Sequence, residues 1–360
     1  MGVCCPDNRE MQLSPKAVGI SAAVTTILIW TMFIVVARFM ALKSLSPLDI
    51  VLCRIVGASL VLLPWGYFLV RKMRAGNPRA QTFMGLSPLP WRITALIGAF
   101  GGVAYAVLAY SAFVYAPASH GSVLLPGMLP LTTALFSVWL LRERLSRGRW
   151  LGLALILLGG LLVGGASLLK AFEGGEVWKG DLLFVFASTT WAIYTVSCRK
   201  HALAAVPATI AVIVFAAVSF IPVYGLLVAI GLLQSSLGSA PWSEILFHTL
   251  WQGMGSVVIS GITFTKMIQY FGPVRTTMLT AIVPGSSAIC AVIFLSEPLY
   301  WNLVAGLALV TLGIVVGVRA SASPAASAAP TAPTAPTAPA TPAAPDALST
   351  STVSPGAVAR

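Results

Sequence analysis

Apolar stretches of about 20 residues recur between residues 17 and 319, parted by short polar segments that hold most of the Lys and Arg. A helix rises about 1.5 Å per residue, so each stretch is long enough to cross roughly 30 Å of hydrocarbon. The pattern predicts ten membrane-spanning helices, near 17–40, 48–70, 91–114, 117–141, 148–169, 180–201, 206–232, 245–270, 273–295 and 299–319. Two of the divisions depend on helix breakers: Pro117 after the third span, and Gly272 with Pro273 after the eighth.

The second half of the pattern repeats the first. Pro130, Glu143, Gly152 and Gly159 each stand 154 positions before Pro284, Glu297, Gly306 and Gly313. Trp30 and Arg38 stand 161 positions before Trp191 and Arg199, so only intervening loops differ in length. Five helices is an odd number, and the second unit must therefore enter the membrane from the opposite side. The expected fold class is all-α integral membrane, with ten transmembrane helices as two inverted five-helix repeats at 17–169 and 180–319. Related halves that enclose a site near mid-bilayer are a transporter signature.

Loop charge sets the expected orientation, because cytoplasmic loops retain Lys and Arg. From a cytoplasmic amino terminus the even-numbered connections are basic: Arg71, Lys72, Arg74, Arg79 and Arg92, then Arg142, Arg144, Arg147 and Arg149, then Arg199 and Lys200, Arg275, and Arg319. The odd connections hold Lys43, Lys170 and Lys179, with Glu173, Glu176 and Asp181 beside the latter two. Both termini are expected in the cytoplasm, with the chain in the cell inner (plasma) membrane. Arg38 is the exception, placed by the repeat at the outer face where the rule disfavours it. Composition agrees with a membrane protein: 58% of residues are hydrophobic, 9% are charged and mean hydropathy is +0.90. The net charge of +12 arises from the loop bias, so nucleic acid is not an expected partner.

The first sixteen residues have no apolar run ahead of Cys4 and Cys5 and read as a short cytoplasmic arm. From about residue 320 Ala, Pro, Thr and Ser dominate, and this tail is expected to be disordered. Cys53, Cys198 and Cys290 fall inside predicted helices and read as small packing residues, with no zinc spacing.

Ionisable side chains within hydrocarbon are costly, which makes each a candidate for function. Arg54 lies about two turns into the second span and is expected to face a cavity or backbone carbonyls. Lys266, His120 and His248 lie near span ends, where snorkelling or a water bridge is the simpler role. No Asp or Glu is expected at a helix centre, which removes the usual proton-relay residue and favours facilitated exchange or uniport. His120 and His248 are then the groups left to titrate near neutral pH. The chain has no GxxxxGK[ST] phosphate loop, no nucleophile with its base and no carboxylate pair, so neither ATP hydrolysis, an enzyme nor a cofactor is expected.

Helix breakers and aromatics mark the same depth. Pro126, Gly127 and Pro130 interrupt the fourth span, and Pro284 and Gly285 interrupt its repeat partner, the ninth. Proline frees a backbone carbonyl, tolerated at membrane depth where it meets protein or a wet cavity, and paired interruptions point to a transport site. Trp30 and Trp191 fall close to the midplane, away from the interface that Trp prefers. Phe33, Tyr105, Tyr110, Tyr194 and Trp251 are their expected neighbours around a cavity. The candidate solute-binding residues are thus Trp30, Phe33, Arg54, Tyr105, Tyr110, Pro126, Trp191, Tyr194, Trp251, Pro284 and Gly285. Gly152, Gly159, Gly306 and Gly313, at seven-residue spacing, are expected to let helices approach closely.

Trp30 in IWTMFIVVAR, its repeat TWAIYTVSCR, and the pair PLTTALFSVWLLRERLSRGRWLG and PGSSAICAVIFLSEPLYWNLVAG resemble the two EamA domains of the drug/metabolite transporter superfamily. The likeness covers about residues 17–319. It implies ten helices around a central cavity, and export or exchange of small metabolites such as amino acids without ATP. Arg54 is similar to the arginine common in the second helix of these domains, while Glu143 and Glu297 would be structural at helix ends. Thr31, Met32 and Phe33 depart from the Gly, Ser or Asn of many members. The expected function is alternating-access transport of a small organic metabolite. The alternatives are a proton-coupled antiporter of drugs or sugars and a membrane scaffold or receptor. Expected partners are the solute and the lipid bilayer, with homodimerisation left open. Cysteines introduced into RERLSRGR and SEPLYWN are expected to react with an impermeant maleimide from opposite compartments; reaction of both from one side would refute the inverted arrangement.

Overall fold

A computed structural model describes residues 15–171 and 173–322. The predicted amino-terminal arm up to residue 14, with Cys4 and Cys5, and the Ala/Pro/Thr-rich tail from residue 323 lie outside the described residues. The elements are α1 (Pro15–Ala41), α2 (Pro47–Gly76), α3 (Trp91–Tyr115), α4 (Ala118–Leu124), α5 (Leu129–Leu141), α6 (Arg147–Ala171), α7 (Val177–Lys200), α8 (Ala205–Ala229), α9 (242–280), α10 (Ile282–Leu295) and α11 (Trp301–Ala322). Among the described residues, nine helices are long and apolar enough to cross a membrane when α4 and α5 count as one broken span, and α10 is a shorter apolar helix. The chain is an all-helical, multi-pass membrane protein. Bulky apolar side chains such as Leu161, Trp139, Phe186 and Leu226 cover its outside, as lipid contact requires.

The break at Pro117 falls as predicted, between α3 and α4. The break predicted at Gly272 and Pro273 does not occur there: α9 runs on to Thr280, and the interruption comes at Ala281. Helical neighbours in a membrane can absorb a proline as long as the backbone group it frees is met elsewhere. The interruptions predicted inside the fourth and ninth spans are present, at residues 125–128 and at 281. Proline has no N–H to give, but the first turn of a helix has no partner for its N–H groups anyway. Pro130 is accordingly the second residue of α5 and Pro284 the third of α10, and each helix restarts just ahead of its proline.

The far ends of α5 and α10 match in detail. Arg142 and Ser296, again 154 apart, both adopt left-handed backbone with φ of 54°. Each donates its N–H across the terminus, to the Ser137 and Ala291 carbonyls respectively, and Glu143 and Glu297 follow with N–H contacts of 3.4 Å to the same two oxygens. At the start of α2, Ser46 and Asp49 form a reciprocal cap, and the buried Asp49 carboxylate also accepts from the Tyr224 hydroxyl and the Ser236 N–H (3.0 Å), tying α2 to α8.

The most extensive helix contact joins α6 to α11, and glycine makes it. A Cβ built on Gly159 would fall 2.6 Å from the Gly306 carbonyl oxygen, and one on Gly152 would fall 2.6 Å from that of Gly313. Gly152 faces Gly313 while Gly159 faces Gly306, so the helices run antiparallel, backbone against backbone. Gly159→Leu is expected to destabilise by about 1–3 kcal/mol through overpacking, read as a lowered melting temperature in detergent. Gly164→Ala, which meets nothing within 4 Å, serves as the neutral control.

Candidate functional site

Close packing of α2 on α9 builds the centre of the site. A Cβ on Gly253 would fall 2.7 Å from the Ala58 nitrogen, and Gly57 faces the same stretch of α9. With no side chain between the two backbones, Arg54 reaches across to α9 and α3. Its Nη1 donates to the Tyr110 hydroxyl at 3.3 Å and to Ser256 Oγ at 3.2 Å, and the guanidinium lies 5.9 Å from the Phe33 ring centroid. Among the described residues no carboxylate pairs with Arg54, so two hydroxyls and an aromatic face share its charge.

An aromatic chain extends from this point. Tyr105, within electrostatic range of Arg54, lies 4.6 Å from Trp191, which lies 5.0 Å from Tyr194. Phe33 meets Tyr110 edge-on at 5.9 Å. Tyr194 fits because α3 carries a π-helical stretch, Ala99–Ala104, containing Gly101, whose Cβ would fall 2.5 Å from that ring. α9 carries the second π-helical stretch, His248–Ile259. Such turns in otherwise α-helical segments are rare and concentrate at functional sites.

The π-helical stretch of α9 also carries a polar stripe. His248, Gln252 and Ser256 recur at four-residue spacing; His248 and Gln252 are fully buried, and none of their side-chain nitrogen and oxygen atoms has a partner. The Trp251 indole N–H and the Ser59 hydroxyl are also buried and unpaired. An unmet buried polar group costs roughly 2–7 kcal/mol in apolar surroundings. This concentration beside Arg54 calls for water or a polar solute.

Paired charges close both ends of the bundle. At one end Arg38 Nε lies 3.9 Å from Glu297, and Arg38 Nη1 donates to the Phe113 carbonyl at 2.5 Å. Glu297 also accepts the N–H groups of Ala118 (2.8 Å) and Ser119 (2.9 Å), capping α4. At the other end Arg199 Nη2 lies 2.5 Å from Glu143, and Arg199 Nη1 donates to Ser137 Oγ at 3.2 Å. In each pair the arginine comes from one half of the sequence and the glutamate from the other. The Arg38–Glu297 side chains are 19% and 11% exposed, the Arg199–Glu143 side chains 51% and 31%. Arg38 thus has a physical reason for its place: its charge is met by a carboxylate and a carbonyl.

Of the predicted site residues, direct contacts join Phe33, Arg54 and Tyr110 in one group and Tyr105, Trp191 and Tyr194 in another, with Tyr105 within electrostatic range of Arg54. Trp30 instead packs on Phe264 at 5.0 Å, and Trp251 on Phe247 at 6.4 Å. Pro126 is half-buried in the turn before α5, Pro284 is buried in the first turn of α10, and a Cβ on Gly285 would meet open space. Next to Gly285, Ser286 bonds Thr31 at 2.7 Å. Sequence reasoning missed Gln252 and Ser256, although polar residues every fourth position in an apolar span were a readable stripe. It also placed Asp181 with the charges of a loop; Asp181 is buried in the second turn of α7, against His120.

A family model for the EamA-like transporter family matches the chain twice, over residues 17–165 and 178–319. The chain is similar to the "Uncharacterized transporter YyaM" of Bacillus subtilis (strain 168), with 24% identity over 225 residues, 62% of this chain and 70% of that protein. In fold it is similar to a solved structure titled only "Crystal structure of protein", at 21% identity and a TM-score of 0.50, covering 85% of this chain and 99% of that one. Glu297→Ala is expected to cost about 1–3 kcal/mol, because it leaves the Ala118 and Ser119 N–H groups without their acceptor and a partly buried arginine without its carboxylate. Glu143→Ala, at the more exposed pair, is expected to cost about 0–1 kcal/mol. Thermal unfolding of both variants in one detergent checks the difference.

Proposed function

We propose, on the premise that this chain belongs to the EamA-like transporter family, that it moves a small organic solute bearing an anionic group, without ATP, by alternating access. The observation that carries this reading is Arg54, a cation within the bundle that no carboxylate pairs among the described residues, whereas Arg38 and Arg199 are each matched. A carboxylate or similar anion on the solute completes the pairing with two parallel N–H donors. Tyr105, Trp191 and Tyr194 then offer aromatic faces to the rest of the solute, and His248, Gln252 and Ser256 offer hydrogen bonds to its polar groups. Small sites of this kind combine apolar walls with a few placed polar groups.

The two halves act as inverted five-helix repeats, with α10 and the last turns of α9 as the ninth span of ten. The antiparallel contact of α6 and α11 supports this, since equivalent helices of inverted repeats must run in opposite directions. The matched ends of α5 and α10, 154 residues apart, support it as well. The ion pairs mark the two gates. The Arg38–Glu297 end faces outward and the Arg199–Glu143 end faces the cytoplasm of an inner membrane, the side on which basic loops accumulate. Opening one pair while the other holds exposes Arg54 to one side at a time, for export or exchange.

Counterflow into proteoliposomes against labelled carboxylates, amino acids and neutral sugars tests the reading. Arg54→Gln is expected to lower flux of the accepted anionic solute about tenfold or more, the loss of a hydrogen bond to a charged group, with insertion intact. Trp30→Ala, whose ring packs on Phe264 and not on the Arg54 cluster, is expected to lower it less. Undiminished flux in Arg54→Gln would overturn the assignment.

A further inference from the structure

Asp181 and His120 form a second ionisable site that the solute pathway does not use. Asp181 Oδ1 lies 2.9 Å from His120 Nδ1, its Oδ2 accepts from the Ser167 hydroxyl, and it has no Lys or Arg partner among the described residues. The carboxylate side chain is 6% exposed and the imidazole 14%. Three helices meet here: α4 brings His120, α6 Ser167 and α7 Asp181. Because the carboxylate stands between the hydroxyl and the ring, Ser167 is not poised as a nucleophile.

The charge of the pair depends on one proton. With Nδ1–H donated to Asp181, a neutral imidazole leaves a net charge of −1 in a largely dry site, whereas a proton taken from water onto Nε2 makes a neutral ion pair. A buried lone charge is costly and a matched pair much less so. Other ionisable groups around α4 are already engaged. Glu297 caps Ala118 and Ser119 and pairs with Arg38 of α1, while Lys179 of α7 pairs with Glu176 and lies 5.7 Å from the Tyr115 ring of α3. Lys170 of α6 follows Ser167 by three positions, and α11 carries only Arg319, at its far end. Among the described side chains no Lys or Arg reaches Asp181, so a proton on His120 is the cation that balances it there.

We propose that His120 and Asp181 form the binding site of a coupling proton, occupied while the Arg38–Glu297 end is sealed and vacated when that end opens. The geometry links the two events. Ser119, held by Glu297, directly precedes His120, so pulling α4 off Glu297 brings water to the pair. The proposal rests on the two-sided opening described above, but it requires no identified solute.

Its test is a cysteine at Ser119, a side chain 2% exposed, in the full-length protein in membrane vesicles with the five native cysteines replaced by serine. Labelling by an impermeant maleimide is normalised to a cysteine at exposed Glu173. The normalised rate is expected to rise about fivefold as the medium goes from about pH 5.5 to about pH 8, because loss of the shared proton leaves Asp181 unmatched. Asp181→Asn, which removes the buried anion, is expected to hold it low at every pH. His120→Asn, which leaves the anion unmatched, is expected to hold it high. A wild-type pH profile retained in Asp181→Asn would overturn the proton site while leaving the Arg54 reading standing. No labelling at any pH in any variant would overturn the opening itself, and the proton site with it.

Discussion

A charge withdrawn from water into hydrocarbon is expensive unless an opposite charge or several hydrogen bonds receive it. The interior of this bundle is arranged around that demand. Arg38 and Arg199 each find a glutamate from the other half of the chain, Asp49 gathers hydroxyl and backbone donors, and Asp181 leans on an imidazole. These pairings lie toward the bundle ends and leave the middle to Arg54, whose partners are neutral. Among the described residues Arg54 is thus left without a counter-charge between two matched pairs, which is the ground for proposing an anionic solute there.

The halves are held together by the opposite device, the removal of side chains. Four glycines let α6 and α11 touch through their backbones, and Gly57 with Gly253 do the same for α2 and α9. Contacts of this type gain dispersion energy without ordering long side chains, which suits a solvent where apolar burial supplies no net drive. The same economy of volume positions the site, because Tyr194 occupies room that a Cβ on Gly101 would take.

Much of this was legible in the chain. Hydrophobic stretches showed nearly every span, since length and polarity alone decide whether a helix can cross hydrocarbon. The Pro130 and Pro284 breaks followed from a missing N–H, and the glycine spacing foretold the α6–α11 contact. Arg54 stood out through its depth. What escaped was set by tertiary context. Gly272 and Pro273 were read as a break because local propensity disfavours helix there, yet α9 continues through them. Asp181 looked like a loop charge because it sits four residues from a helix start, and only the folded bundle brings His120 and Ser167 onto it. Trp30 and Trp251 shared a depth band with the site, but depth does not say which way a ring turns.

Equivalent positions also differ in one respect that bears on how the molecule rests. Glu297 grips two peptide N–H groups, those of Ala118 and Ser119, where a helix begins. At the matching places before Glu143 stand Gly272 and Pro273, where the helix is already under way and proline has no hydrogen to offer. Among the described residues the Glu297 side chain therefore has three holds and that of Glu143 one. If the two ends release in turn, they do so against unequal resistance.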